Sequence, residues 1–203
     1  MLTLLDLSAA FDSVDHHTLL QRLQKSYSLS GKVVDWFTSY LSDRSQQVRT
    51  TTSTSMPSAV LFGVPQGSVL GPILFLLYTA DLLQLVKRHH LTPHGYADDT
   101  QIYGHCQPSD TDRLTQQVST CIDEVSAWMK ANRLLLNPAK TEVLWCASSR
   151  RQHLIPTKSV RVGEVSVSPV TAVRDLGVYM DADVSMRTQV TNIAQACFSP
   201  HAS

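Results

Sequence analysis

The sequence is poor in the features that build metal knuckles, disulfide frameworks and strong electrostatic fields. Its four cysteines, at positions 106, 121, 146 and 197, are far apart and form no Cys-x-x-Cys pair. This spacing favours neither a zinc knuckle nor a disulfide framework, so a reduced, intracellular chain is the default expectation. Lysine plus arginine equal aspartate plus glutamate, at 17 each. The net charge therefore gives no long-range attraction for a polyanion such as nucleic acid.

No segment is typical of a signal peptide or a membrane span. The apolar run at the N-terminus lacks a basic region and is interrupted early, at Asp6. The most apolar segment, residues 69–86, contains a Gly71-Pro72 break and a charge at Asp81. We therefore expect a buried helix there rather than a membrane span, and no membrane partner.

Length and composition indicate one globular domain, or slightly more than one. The chain has 203 residues, of which 43% are hydrophobic and 17% charged, which is enough apolar material for a core. The strand-like run at residues 1–6 has nothing before it, and a helical pattern at residues 186–198 stops without a partner. We expect a chain truncated at both ends, with one domain over residues 1–185 and either the start of a further domain or a disordered tail over residues 186–203.

Apolar periodicity alternates between helix and strand along the chain. Helical spacing covers residues 17–25, 32–41 and 110–129, and a long apolar helix from Gly71-Pro72, with apolar residues on nearly all sides, should be buried. Strand patterns cover residues 46–52, 59–63, 141–146, 159–162, 164–168 and 172–180, with a hairpin over 93–103 whose tip is 97–100. This order, without regular βαβ repeats, predicts an α+β fold.

Two acidic sites stand where the pattern places a strand end and a hairpin tip. Asp6 follows the first strand, and Asp98-Asp99 lie at the tip. Adjacent side chains on a strand point to opposite faces, so one acid of the pair should dominate a shared site. If Asp6 and Asp98 lie on neighbouring strands, their carboxylates come close together. Two unit charges about 4 Å apart repel by about 1 kcal/mol in water and by about 4 kcal/mol at an effective dielectric near 20. Such a cluster favours Mg²⁺, and two ions roughly 3.5–4 Å apart support phosphoryl transfer.

Each acidic site also has a plain structural interpretation. An Asp-Asp pair in a turn is most often only a good turn former, because aspartate accepts local backbone hydrogen bonds. Asp6 alone is equally compatible with a helix N-cap. The functional interpretation depends on the two sites together and on the segments around them.

Five segments of the chain occur in an informative order. They are LLDLSAAFDSVDH (residues 4–16), GVPQGSVLGP (63–72), YADD (96–99), LNPAKTE (136–142) and DLGVYMD (175–181). In this order they resemble motifs A to E of the reverse transcriptases of non-long-terminal-repeat (LINE-type) retrotransposons. A YADD tetrapeptide alone would occur by chance, whereas five ordered motifs span nearly the whole chain.

The resemblance implies a polymerase palm, an antiparallel sheet backed by helices, within an RNA-directed DNA polymerase that transfers nucleotides to a primer 3′-hydroxyl. Asp6 and Asp98 would be the main ligands of two Mg²⁺ ions, with Mn²⁺ as a substitute, and Asp99 the supporting carboxylate. Lys140 matches the motif D lysine, which protonates or neutralises the departing pyrophosphate. As a solitary lysine before a strand, Lys140 would otherwise be assigned to the solvated surface.

For the nucleotide, the resemblance implies roles for Phe11 and Ala10 within motif A. Phe11 matches the steric gate that excludes a ribose 2′-hydroxyl, although from the residues alone it is a core aromatic. The chain must bend after Leu7 to bring Phe11 beside Asp6, because an offset of five on a straight strand reaches the opposite face. Ala10 is small enough to let a triphosphate approach the backbone.

The resemblance assigns Gln66 and Gly67 of motif B to the nucleotide and the template strand. A helix N-terminus and a flexible glycine suit a phosphate. On sequence alone a helix-capping turn, with Ser68 as the N-cap, fits equally well.

The implied partners are an RNA template, a DNA primer and deoxynucleoside triphosphates, in the nucleus or the cytoplasm. The fingers, the complete thumb and the endonuclease region of such proteins would be missing here, so we expect weak nucleic-acid binding and little or no activity from the chain alone. Two other interpretations stay open. One is a catalytically inactive retrotransposon remnant or a domesticated nucleic-acid-binding module, and the other is an RNA-directed RNA polymerase palm, against which Phe11 and motif B argue.

Overall fold

The computed structural model describes residues 1–198 as a mixture of strands and helices. The strands are β1 (Leu2–Leu5), β2 (Leu7–Ser8), β3 (Ser45–Gln46), β4 (Ser58–Ala59), β5 (Thr92–Tyr96), β6 (Asp99–Tyr103), β7 (Leu135–Leu136), β8 (Glu142–Leu144), β9 (Val160–Val162), β10 (Val165–Val167), β11 (Ala172–Asp175) and β12 (Val178–Asp181). The helices are α1 (His16–Lys25), α2 (Lys32–Leu41), α3 (Leu70–Arg88), α4 (Thr111–Ala131) and α5 (Arg187–Phe198).

The central sheet has four antiparallel strands in the order β5-β6-β1-β8. The first strand of the chain thus lies inside the sheet, between the predicted hairpin and β8. Two-stranded pairs β2-β7, β3-β4, β9-β10 and β11-β12 surround this sheet. The α+β class and the antiparallel sheet backed by helices are as the sequence predicts.

Two helices supply most of the apolar layer behind the sheet. α4 buries Leu114, Val118, Ile122, Val125 and Met129, which recur at steps of three and four residues and so share one helix face. α3 packs against β5, α1 and α4. These contacts build one core that holds the sheet from behind.

α3 is less buried than its composition predicts. Ile73 is 48% exposed and Leu76 is 40% exposed, so one side of the helix faces solvent while the other packs into the core. Within residues 1–198, α3 is also the one helix long and apolar enough to cross a membrane by length and composition, with a mean hydropathy of 1.4. Its packing against three neighbouring elements is that of a core helix.

Three strand predictions differ from the structure. Only Ser45–Gln46 and Ser58–Ala59 pair where residues 46–52 and 59–63 were expected to form strands. The hydroxyl-rich residues between these strands are exposed and have no apolar face to bury. Residues 172–180 form a hairpin rather than one strand, because Leu176 and Gly177 take φ of 46° and 86° and turn the chain.

The C-terminal segment, residues 186–203, extends beyond the last hairpin. Arg187–Phe198 form α5, which packs against β12. The remainder of the segment predicted as a thumb start or a disordered tail lies outside the described residues.

Candidate functional site

The sheet register brings the two acidic sites to one end of the central strands. Leu5 pairs with Thr100 in the antiparallel β1-β6 ladder. The next position on each strand holds Asp6 on one side and Asp99 on the other. Asp98 precedes β6 in the two-residue turn that starts at Ala97, whose φ is 54°. Asp6 therefore lies opposite Asp99 at the hairpin tip, with Asp98 next to Asp99 in the turn.

Asp6 and Asp99 line a small cleft of about 110 Å³ together with Lys140, Arg174 and Asp175. Burial raises the pKa of Asp99, and the negative charges of Asp98, Asp175 and Asp6 raise it further. This shift is the electrostatic signature of several carboxylates that share one region. A divalent cation would relieve their mutual repulsion.

Asp98 faces a different and larger cavity, of about 390 Å³. The predicted nucleotide-binding residues line this cavity with it, namely Phe11, Ala10, Gln66 and Gly67. Its volume lies within the range of about 300–1,000 Å³ that is usual for small-molecule sites. We call it the nucleotide cavity, and the smaller space around Asp6 and Asp99 the acidic cleft.

The chain bends as predicted to bring Phe11 to the nucleotide cavity. Ala9 takes a φ of 47°, and a 3₁₀ turn follows over Phe11–Ser13. The Phe11 ring packs on Phe75 of α3 with 5.1 Å between ring centroids. Phe11 is thus anchored on the core and also exposes part of its ring to the cavity, which accommodates both interpretations of this residue.

Motif B packs tightly on the backbone of motif A. Gly63 has a φ of 87°, and a Cβ there would lie 2.9 Å from the Asp12 Cα. The Gly63 N–H donates to the Val14 carbonyl at 2.8 Å, and its carbonyl lies 2.8 Å from the His16 Nε2. Gln66 Nε2 donates to Asp12 Oδ1 at 3.1 Å. These contacts fix Gln66 at the edge of the nucleotide cavity.

Ser68 caps the start of α3 much as the sequence predicts. Its hydroxyl accepts a hydrogen bond from the Gly71 N–H at 2.9 Å and donates to the Pro65 carbonyl at 2.7 Å. The regular helix nevertheless begins at Leu70, with Val69 at the position before it. Gly67 lies in this turn with a φ of 76° and open space around its Cα.

Lys140 lies at the acidic cleft, on a 3₁₀ turn over Pro138–Lys140. Its Nζ is 3.8 Å from Asp6 Oδ2, although 69% of the side chain is exposed. The turn is held at this place because the Asn137 N–H donates to the Asp6 carbonyl at 2.9 Å. Lys140 thus has the exposure of a surface lysine and the location of a site residue.

Sequence reasoning missed two further carboxylates that line the acidic cleft, Glu142 of β8 and, at the tip of the β11-β12 hairpin, Asp175. Gln101 Nε2 donates to both of its carboxylate oxygens at 2.8 Å. Gln101 is a buried residue of β6, two positions beyond Asp99. The sequence signal was present, because Asp175 opens the segment DLGVYMD, but nothing local shows which strand its side chain contacts.

The carboxylates do not form a closed metal cage. Within residues 1–198, no three His, Cys, Asp or Glu side chains are grouped so that they could hold a metal ion by themselves. This arrangement still suits Mg²⁺, which is commonly bound through one or two carboxylates, several waters and substrate phosphates. Oxygen donors at the acidic cleft and the raised pKa of Asp99 fit such an ion.

Comparison with known proteins gives a consistent result. The family model described as "Reverse transcriptase (RNA-dependent DNA polymerase)" matches residues 1–180. The chain is 32% identical to the probable RNA-directed DNA polymerase from transposon BS of Drosophila melanogaster, over 97% of this chain and 20% of that protein. It is 30% identical to the corresponding protein from transposon X-element, over 93% and 20%. It is 26% identical to that from mobile element jockey, over 95% and 21%. The chain thus spans about a fifth of the length of these Drosophila melanogaster relatives.

Among solved structures, the chain resembles telomerase from Candida albicans, determined in complex with a fragment of telomeric RNA. The TM-score is 0.57 at 13% sequence identity, over 91% of this chain and 30% of that one. Telomerase from Candida tropicalis gives a TM-score of 0.56. At this identity the likeness shows a shared fold.

Proposed function

Because the chain belongs to the reverse transcriptase (RNA-dependent DNA polymerase) family, we propose that it supplies the palm chemistry of an RNA-directed DNA polymerase of a non-long-terminal-repeat retrotransposon. Its substrates are deoxynucleoside triphosphates, an RNA template and a DNA primer whose 3′-hydroxyl receives the nucleotide. The observation that carries the proposal is that Asp6 lies opposite Asp99 in the acidic cleft, while Asp98, next to Asp99 in the turn, lines the nucleotide cavity.

Asp6, Asp98 and Asp99 would hold two Mg²⁺ ions, with Mn²⁺ as a substitute. When bound, such ions lower the pKa of the attacking hydroxyl and neutralise charge on the phosphates. The hairpin tip suits this task because Asp98 faces the nucleotide cavity while Asp99 and Asp6 face the acidic cleft. With this arrangement, carboxylates would lie on both sides of the place where the primer end and the triphosphate would meet.

The remaining site residues position the nucleotide and manage its charge. Phe11, seated on Phe75, forms a wall where a bulky ring would exclude a ribose 2′-hydroxyl. Gln66, held by Asp12, presents its side chain at the same cavity. Lys140 places a positive charge near the acidic cleft, where it would neutralise or protonate the pyrophosphate leaving group.

Primer extension tests the proposal. The chain is assayed alone and fused to the segments that flank the corresponding region of the transposon BS relative, with an RNA template, deoxynucleotides and Mg²⁺. Asp98→Asn and Asp6→Asn should abolish extension by the fused protein without changing its circular dichroism. Asp43→Asn is the matched control, because Asp43 is exposed and forms no ion pair within residues 1–198.

The outcomes separate the proposal from its alternatives. Extension that survives Asp98→Asn would mean that another group holds the metal. No extension by the fused protein would favour an inactive remnant or a binding module. Extension with ribonucleotides as fast as with deoxynucleotides would favour an RNA-directed RNA polymerase. Calorimetric titration of the chain alone with Mg²⁺ tests the proposed metal ligands independently of activity.

A further inference from the structure

A second cavity adjoins the nucleotide cavity at Gln66, and nothing in the proposed chemistry uses it. It has a volume of about 340 Å³. Residues 44–46, at the base of the β3-β4 hairpin, form part of its lining, and residues 62–66 and Asp12 complete much of the rest. We call it the Arg44 cavity, after the basic residue in its lining.

Arg44 carries a positive charge without an ion-pair partner among residues 1–198. Its Nη1 is buried and has no hydrogen-bond partner in the described part of the chain. Its backbone is nevertheless fixed, because the Arg44 carbonyl accepts a hydrogen bond from the Val60 N–H at 2.8 Å.

An unpaired buried N–H is unusual in folded proteins and costs stability, and the cost is higher when the group is charged. Ser45 and Gln46 line the same cavity. The cavity thus presents a guanidinium with a hydroxyl and an amide as further donors.

The location of the cavity indicates what would occupy it. Gln66 lines both the Arg44 cavity and the nucleotide cavity, and its amide is held between them by Asp12 Oδ1 at 3.1 Å. An anion next to a nucleotide or a nucleic-acid strand is a phosphate, and arginine binds phosphate oxygens through paired N–H donors. Asp12 also lines the cavity, so an anion would have to approach from the Arg44 side.

We propose that the Arg44 cavity is a phosphate-binding site in which the Arg44 guanidinium donates to a phosphate oxygen of the nucleic acid or nucleotide held at the neighbouring cavity. The site rests on the proposed function for the identity of its ligand. The phosphate belongs either to a strand of the primer–template hybrid or to the incoming triphosphate. Both sources share the chemistry that Arg44 recognises.

Direct binding of two ligands distinguishes these sources. The 203-residue chain is titrated against a fluorescein-labelled RNA–DNA hybrid and, separately, against a fluorescent deoxynucleoside triphosphate, at several salt concentrations. The test variant is Arg44→Met, which keeps the length of the side chain and removes the guanidinium. The control is Arg49→Met, since Arg49 is an exposed arginine five positions further along the same hairpin.

We expect Arg44→Met to weaken binding of one ligand by about tenfold, the scale of one lost charge-assisted hydrogen bond. If the hybrid is the source, the slope of log K against log salt should fall by about one. Arg49→Met should weaken hybrid binding by no more than about threefold, as general loss of one charge would. The melting temperature of Arg44→Met without ligand should equal or exceed that of the unaltered chain, because no internal hydrogen bond is lost.

Three results would overturn the inference. The first is equal binding losses in Arg44→Met and Arg49→Met. The second is a lowered melting temperature or failure to fold in Arg44→Met, which would assign Arg44 a structural role. The third is no binding of either ligand by the unaltered chain at low salt. These results do not test the proposed function. That proposal is tested separately, by primer extension with the fused protein and by the loss of extension in Asp98→Asn.

Discussion

Asp99 is a site residue whose carboxyl pKa is raised both by burial and by neighbouring negative charges. Its raised pKa means that the folded protein holds the carboxyl proton more tightly than the unfolded chain does. At neutral pH the ionised Asp99 therefore opposes folding. This strain is useful at a cation site, because a bound cation removes the repulsion that the ligand-free protein bears.

Asp99→Asn is expected to stabilise the metal-free protein at neutral pH. The amide removes the repulsion from Asp98, Asp175 and Asp6, and we expect a gain below about 1 kcal/mol because the side chain is exposed to solvent. The gain should be complete above the raised pKa of Asp99 and vanish as the pH falls below the ordinary value of 3.8. Thermal melts over a range from about pH 3 to about pH 8 measure this difference.

Asp43→Asn serves as the control, because Asp43 is exposed and distant in sequence from the hairpin tip. If the proposed site binds Mg²⁺, added Mg²⁺ should reverse the order, since the unaltered protein keeps the carboxylate that would hold the ion. A lower melting temperature for Asp99→Asn at neutral pH without metal would refute the electrostatic account.

The sequence predicts that Asp6 and the Asp98-Asp99 pair lie close together, but not which cavity each of them lines. Motif spacing alone identifies Asp6 and the Asp98-Asp99 pair. Which acid lies beside Asp6 depends on the turn, because Ala97 and Asp98 fill it and leave Asp99 as the first residue of β6. Asp175 joins the site only through its contact with Gln101, and no local pattern encodes such a contact between distant segments.

At the scale of elements, the turn at the start of motif B packs directly against the backbone of motif A. Gly63 approaches Asp12 so closely that a side chain has no room, and its φ of 87° is unfavourable for any other residue. Gly67, four positions later, has a φ of 76°, and a Cβ added there would meet nothing within 4 Å. The two glycines therefore share a backbone requirement and differ in packing.

Gly63→Ala is expected to cost more stability than Gly67→Ala. The left-handed backbone costs each variant about 1 kcal/mol. Gly63→Ala must in addition displace the backbone of Asp12, so we expect a total loss above about 2 kcal/mol. Urea unfolding measures both losses, and Gly67→Ala is the matched control. Equal losses of stability would mean that the backbone of motif A shifts without a measurable free-energy cost. The contact between Gly63 and Asp12 would then not fix the position of Gln66.

The helices could be predicted from sequence better than the strands, for a physical reason. α2 has the predicted bounds of Lys32–Leu41, and α4 differs from its prediction by one or two residues at each end. A helix makes its backbone hydrogen bonds within itself, so local periodicity suffices. A strand needs a partner, and the polar stretch between β3 and β4 finds only the isolated bridge from Arg49 to Thr54.

At the scale of the whole molecule, one arginine joins the helices behind the sheet. Arg22 of α1 donates to the Tyr78 carbonyl at 2.7 Å and to the Asp81 carboxylate at 3.0 Å, both on α3. It also donates to the Asn132 side-chain oxygen, just after α4, at 2.7 Å. Its guanidinium lies 5.3 Å from the ring centroids of Tyr78 and Trp128. The helical layer behind the β5-β6 hairpin thus depends on a charge network as well as on apolar packing.

Arg22→Met is expected to destabilise the protein by about 2–3 kcal/mol, because it leaves oxygen acceptors on α3 and just after α4 without their charged donor. Arg22→Lys should recover only part of this loss, since an ammonium cannot reproduce the planar fork of guanidinium donors. Arg161→Met is the control, because Arg161 pairs with Asp123 where both side chains are more than 40% exposed. Such surface pairs contribute less than about 1 kcal/mol. Urea unfolding of the three variants decides the matter, and equal losses for Arg22→Met and Arg161→Met would show that apolar packing alone joins the helices.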